Sequence, residues 1–141
     1  MIFYLDTSVL VAALTQEMKT LPVQRWLRGR ESAEVAISEW VAAEFSAALS
    51  IKMRSGDIKP DKRTEALARF TRYSANSFLM LPFNSSYFRI AARFADQFPL
   101  GLRAGDALHL AIAAGSGVTL VTLDRRMAEA AAALGISADI L

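Results

Sequence analysis

Five short apolar segments alternate with helical stretches along this chain, and that alternation limits its fold more than any other feature. Met1–Leu5, Glu34–Ile37, Phe78–Phe83, Val118–Leu123 and Ala138–Leu141 read as strands. They are rich in residues that favour extended backbone, and the first lacks the polar alternation of a half-solvated strand. The apolar spacing predicts helices over Ser8–Leu14, Leu21–Arg30, Glu39–Arg54, Pro60–Asn76, Ser85–Phe98 and Gly105–Ala114, with another from Asp124 to Leu134. Ser38 stands where an N-cap is expected, and Pro60 suits a first helical turn. Gly115-Ser116-Gly117 is expected to close the sixth helix, and Gly135 to cap the last. Strands that alternate with helices favour a parallel sheet covered on both faces, here as one α/β domain over residues 1–141.

Composition narrows the chemistry. Of 141 residues, 53% are hydrophobic and 21% charged, enough to build a core and too few charges for disorder. No apolar run reaches the roughly 18 residues of a membrane span. Asp6 interrupts the apolar start with no basic stretch before it, so no secretory signal is expected and a cytoplasmic protein is. The absence of cysteine removes disulfides, thiol nucleophiles and thiolate metal sites. The one histidine, His109, rules out paired-histidine acid–base catalysis and a histidine-rich zinc centre. No G-x-S-x-G elbow is present for a serine nucleophile. Catalysis by this chain falls to carboxylates, with a hard metal ion where one is needed.

The net charge of +2 is unevenly spread. Residues 52–72 hold seven basic and three acidic side chains, a local +4 that leaves −2 for the rest. Such a segment suits a polyanion, or simply a solvated helix face.

Functional groups of an open parallel sheet gather beyond the carboxyl ends of its strands. Asp6 and Asp124 occupy such ends, and each taken alone reads first as a helix cap. Asp106 lies in the first turn of an otherwise apolar helix, where a buried unpaired carboxylate is costly and needs a partner or a cleft. Glu44 flanks the Val41–Phe45–Ala48 stripe and leans toward the core, whereas Glu39 faces elsewhere and suits the helix dipole. Carboxylates held close repel one another unless a cation neutralises them. Oxygen ligands without His or Cys select Mg²⁺ or Mn²⁺, ions that activate water and orient a phosphodiester. Setting these four acids aside as ligands leaves the remainder at +6, suited to a nucleic-acid backbone.

Leu5-Asp6-Thr7-Ser8-Val9-Leu10, Ser38 with Glu44 six residues on, Gly105-Asp106-Ala107-Leu108-His109-Leu110-Ala111 and Val121-Thr122-Leu123-Asp124-Arg125-Arg126 together resemble PIN-domain nucleases. Length and motif order resemble the single-domain VapC-type toxins of bacterial and archaeal toxin–antitoxin pairs. The resemblance implies a three-layer α/β/α fold with a mostly parallel sheet of about five strands. It further implies Mg²⁺- or Mn²⁺-dependent RNA cleavage at an acidic site formed by Asp6, Glu44, Asp106 and Asp124. Thr7 or Ser8 matches the family's small hydroxyl residue after the first strand, and Thr122 its polar residue before the last acid. Family members dimerise and are blocked by a small antitoxin usually encoded next door. A homodimer, a larger toxin–antitoxin assembly and no membrane partner are therefore expected.

Other residues read more plainly. His109 is expected to pack or hydrogen-bond, since carboxylate–metal chemistry needs no imidazole. Trp26 and Trp40 read as core or interface anchors rather than platforms for bases, and Trp26 marks the expected antitoxin groove. Arg103, Arg125 and Arg126 suit phosphates or solvated helix ends. A haloacid-dehalogenase phosphatase needs an Asp where Ser8 stands, and a receiver domain needs an acid pair and a late lysine, neither visible. The remaining alternative is a non-catalytic PIN-like module that binds RNA or protein.

Overall fold

A computed structural model describes all residues, Met1–Leu141. The elements, in chain order, are β1 (Phe3–Leu5), α1 (Thr7–Leu14), α2 (Thr20–Arg28), β2 (Val35–Ile37), α3 (Glu39–Ser55), α4 (Pro60–Asn76), β3 (Leu79–Met80), α5 (Ser86–Asp96), α6 (Ala104–Ser116), β4 (Thr119–Thr122), α7 (Arg125–Ala133) and β5 (Ala138–Ile140). Two 3₁₀ turns, Ser32–Glu34 and Phe98–Leu100, sit in the connections.

The five strands form one sheet in the order β3-β2-β1-β4-β5, every pair parallel. A parallel pair needs a crossover, and the intervening helices supply it, covering the sheet on both faces as an α/β/α sandwich. The chain steps outward from β1 in one direction through β2 and β3, then returns to the other side of β1 for β4 and β5. The crevice of such a sheet opens where those two directions part, beyond the carboxyl ends of β1 and β4. The expected fold class therefore holds, with the sheet wholly parallel.

The central strands are buried throughout, and their side chains join α1, α3 and α6 in one core of 32 residues. α1 is buried from Val9 to Leu14 and α6 from Ala107 to Ala113, which accounts for their apolar character. Burial of this kind stabilises by about 25 cal/mol per Å² of apolar surface.

Four local expectations change. The strand expected over Phe78–Phe83 is only Leu79–Met80, both exposed. Leu81 N–H still reaches Ile37 O at 2.9 Å, but Pro82 has no N–H to extend the ladder. The second strand starts at Val35, because Ser32–Glu34 closes into a 3₁₀ turn instead. α5 stops at Asp96 and the chain turns through Phe98–Leu100. α6 runs through Gly115 and Ser116 and ends at Gly117, whose φ of 64° suits glycine. Gly115 is a packing residue, since a Cβ there would lie 2.4 Å from the Tyr87 ring on α5. No helix is long and apolar enough to cross a membrane.

Candidate functional site

β1 ends at Leu5, and Asp6 N–H still bonds to Val121 O at 3.1 Å, carrying the β1–β4 ladder to the first acid. Asp6 is 3% exposed and N-caps α1, Oδ1 accepting from Val9 N–H at 3.3 Å and from Ser8 Oγ–H at 2.5 Å. Its Oδ2 accepts from Thr122 Oγ–H at 2.5 Å. Both hydroxyls serve twice. Ser8 Oγ accepts Leu123 N–H at 3.1 Å, and Thr122 Oγ1 accepts Asp124 N–H at 3.0 Å. They lace the turn after β4 to the start of α1 and so fix Asp6 relative to Asp124.

Asp124 N-caps α7, its Oδ1 accepting from Arg126 N–H at 2.9 Å, while Oδ2 takes no hydrogen bond. Asp106 lies in the first turn of α6 and makes neither a hydrogen bond nor an ion pair. Glu44 projects from α3, where its Oε1 accepts from Thr7 Oγ–H at 2.6 Å and from His109 Nε2–H. Glu44, Asp106 and Asp124 line one open cleft of about 670 Å³ together with Trp40, Gly105, Arg103 and Arg126. Asp6 lies outside that lining and is nearly sealed from solvent.

The electrostatics divide the acids. Burial raises the Asp6 carboxyl, opposed by His109, Ser8, Thr122 and Val9 N–H. Burial also raises Asp106, and repulsion from Asp124, Glu44 and Asp6 adds to it against the pull of His109. For Glu44, burial works upward, but the His109 bond and charge and the Thr7 hydroxyl together hold the carboxyl below its usual range. The cleft therefore carries excess negative charge, with Arg103 and Arg126 at its wall but neither within ion-pair distance of an acid.

The donor chemistry suits a hard divalent cation: carboxylate oxygens, an unpaired Asp106, and a free Asp124 Oδ2. The geometry is open rather than caged, for no three carboxylate or imidazole groups converge as a ready-made metal site. Thr7, Ser8 and Thr122 each bond an acid directly.

Several residues differ from their sequence reading. Ser38 occupies the N-cap of α3 but makes no capping bond, its hydroxyl lying 2.8 Å from Tyr4 Oη instead. Trp40 packs against the core as expected and also walls the cleft, with Nε1–H donating to Gly105 O at 3.3 Å. Trp26 does pack on the core, edge-on to Phe3 at 5.3 Å. The basic segment is remote. Lys52, Lys59, Lys62 and Arg69 line a separate hollow that begins at Ala13, the far end of α1. Lys52 lies eight positions beyond Glu44 on α3, about 12 Å along the axis. Tyr4 does not stand out in the sequence, because the strand reads as uniformly apolar. Its signal was chemical, since a phenol in a buried strand needs a partner.

A family model described as the PIN domain matches residues 3–133. No curated protein sequence matches the chain. Among solved structures, FitAcB from Neisseria gonorrhoeae has a TM-score of 0.71 at 19% identity, covering 97% of this chain and 96% of that one. A protein from Pyrobaculum aerophilum has a TM-score of 0.66 at 26% identity, covering 92% and 85%. A member of the VapBC family of toxin–antitoxin systems from Mycobacterium tuberculosis has a TM-score of 0.54 at 22% identity, covering 98% and 95%.

Proposed function

Because the chain belongs to the PIN-domain family, whose members are generally nucleases, we propose that it is a metal-dependent endoribonuclease and the toxin of a toxin–antitoxin pair. Residues 1–141 act as one domain in the cytoplasm, where the RNA substrate is. The observation that most supports this reading is Asp106: a part-buried carboxylate with no hydrogen-bond or ion-pair partner, repelled by Asp124 and Glu44 in the cleft that all three line.

Asp106, Asp124 Oδ2 and Glu44 Oε2 would hold Mg²⁺ or Mn²⁺ from the cleft side, and Asp6 would complete the acid set from behind. Such an ion supplies Lewis acidity, polarising water and offsetting charge on the phosphate oxygens. The chain's own residues do the rest. Ser8 and Thr122 fix Asp6, and Thr7 fixes Glu44. Asp106, whose carboxyl is raised from its ordinary value by burial and the neighbouring acids, would be the acid suited to accept a proton from water. Arg103 and Arg126 at the wall suit phosphate oxygens.

Likeness to a VapBC family member supports an antitoxin partner. The groove beside α2, floored by Leu10, Leu14, Leu27 and Phe78 and edged by Arg28 and Arg30, is the surface proposed for it. A homodimer is proposed on the family resemblance. A short DNA-binding protein encoded next door, co-purifying with this chain, is the expected finding; its absence removes the toxin role but not the nuclease.

Cleavage of RNA with Mn²⁺ and none with chelator is the expected result, and Asp106→Asn should lower it at least about a hundredfold. Undiminished cleavage by that variant sinks the proposal. A non-catalytic binding module is the second reading, favoured by the lack of a converged ion cage. Calorimetry separates the two: no Mn²⁺ uptake and no manganese-dependent cleavage leaves the binding module.

A further inference from the structure

Tyr4, Ser38 and His109 come from three elements and meet inside the molecule behind Glu44. All are buried, Tyr4 completely, Ser38 at 1% exposure and His109 at 2%. Tyr4 Oη lies 2.8 Å from Ser38 Oγ and 2.8 Å from His109 Nδ1. His109 Nε2 bonds to Glu44 Oε1, the oxygen that Thr7 also serves.

The direction of these bonds follows from donor inventory. A carboxylate only accepts, so Nε2–H points at Glu44 whether the ring is neutral or charged. With a neutral ring, Tyr4 donates to Nδ1 and accepts from Ser38. With an imidazolium, Nδ1–H donates to Tyr4, which in turn donates to Ser38. With the neutral ring every donor in the chain has an acceptor, as a buried network requires, whereas the imidazolium leaves the Ser38 O–H without one.

Each member forgoes something local. Ser38 leaves α3 without a capping hydroxyl. Tyr4 puts a phenol where Phe would bury with no partner to find. His109 puts an imidazole in a helix stretch that is otherwise apolar and buried. Apolar side chains of similar volume at positions 4 and 109 avoid the last two of these costs. What the polar trio supplies is a fixed Glu44. Oε1 is occupied by two donors, and Oε2 extends toward the cleft, 2.9 Å from where a Cβ on Gly105 would sit.

We propose that His109, backed by Tyr4 and Ser38, is a positioning residue that holds Glu44 Oε1 so that Oε2 faces the cleft for a divalent cation, a role that rests on reading Glu44 as an ion ligand. Removing an outer partner of a ligand usually weakens metal binding by about 10- to 100-fold. The separate role of the same side chains as core packing makes a different forecast, in which stability falls but ion affinity does not.

The experiment uses the full chain and Mn²⁺ alone, with His109→Ala, His109→Gln and Tyr4→Phe. Calorimetry reads ion affinity, thermal melting reads stability, and metal-free crystal structures read the Glu44 rotamer. His109→Ala should swing Glu44 away from Thr7 and weaken Mn²⁺ by about tenfold or more. His109→Gln, which keeps an N–H within reach, should recover most of that loss. Tyr4→Phe should weaken Mn²⁺ severalfold with the fold retained, and it decides the matter if His109→Ala does not fold. Unchanged affinity in Tyr4→Phe and His109→Ala overturns the proposal, as does a glutamine variant no better than alanine. If the wild-type protein takes up no Mn²⁺, the ligand reading of Glu44 falls. An unmoved Glu44 in His109→Ala then overturns the positioning role on its own evidence.

Discussion

Asp106 is the residue at which electrostatics and function meet. Burial and the neighbouring carboxylates raise its folded pKa above the ordinary 3.8, so the ionised form opposes folding. The penalty is absent well below pH 3.8, sets in as pH rises past that unfolded value, and is complete above the raised folded value. Asp106→Asn should therefore stabilise the metal-free protein at pH 7 by on the order of 1 kcal/mol after allowance for screening at an open cleft. Thermal melts should show a gain of about 2–4 °C that shrinks toward pH 4. A lower melting temperature at pH 7 contradicts the repulsion argument. Saturating Mn²⁺ should stabilise the wild type by about 2.7 kcal/mol at a hundred times its dissociation constant, and the variant should respond far less. Asp6 is a poorer probe, because Asp6→Ala orphans two hydroxyls and the Val9 N–H together.

Among the elements, α6 shows how a glycine can be misread. Gly115 is flanked by Ser116 and Gly117, a pattern that signals a helix end, yet the helix continues to Ser116. The missing side chain admits the Tyr87 ring of α5, a fact that no local pattern carries. Gly115→Ala gains about 1 kcal/mol in helix propensity but loses about 1–3 to overpacking. Denaturant unfolding should show net destabilisation on the order of 1 kcal/mol. A more stable variant would mean that Tyr87 yields freely. Gly105 differs in kind, since an added Cβ meets the Glu44 carboxylate and the Trp40 ring instead. The helix starts at Pro60 and Glu39 were legible because apolar periodicity and turn chemistry are local. The short β3 was not, because an edge strand lasts only as long as its neighbour offers partners.

For the whole molecule, the switch of direction at β1 and β4 decides where charge matters. The basic segment at residues 52–72 lies at the far end of α1 from the acids, while Arg103 and Arg126 stand at the cleft. Lys59→Glu with Lys62→Glu should change RNA cleavage by less than about twofold at physiological salt, where screening acts over about 8 Å. Arg126→Ala should raise KM severalfold and reduce the salt dependence of RNA binding by about one phosphate contact. A large effect of the lysine pair with none from Arg126 would move the RNA path to the other end. Residue order alone determined the alternation of strands and helices, the parallel sheet it demands, and which acids stand at strand ends, since periodicity and the grammar of turns act over a few residues. Tertiary structure alone decided that Ser38 faces Tyr4 rather than its own helix, that Trp40 walls the cleft, and that Asp6 is sealed while Asp106 stays open. Those outcomes depend on contacts between residues 34 to 116 positions apart, and such contacts exist only once the sheet has brought its elements together.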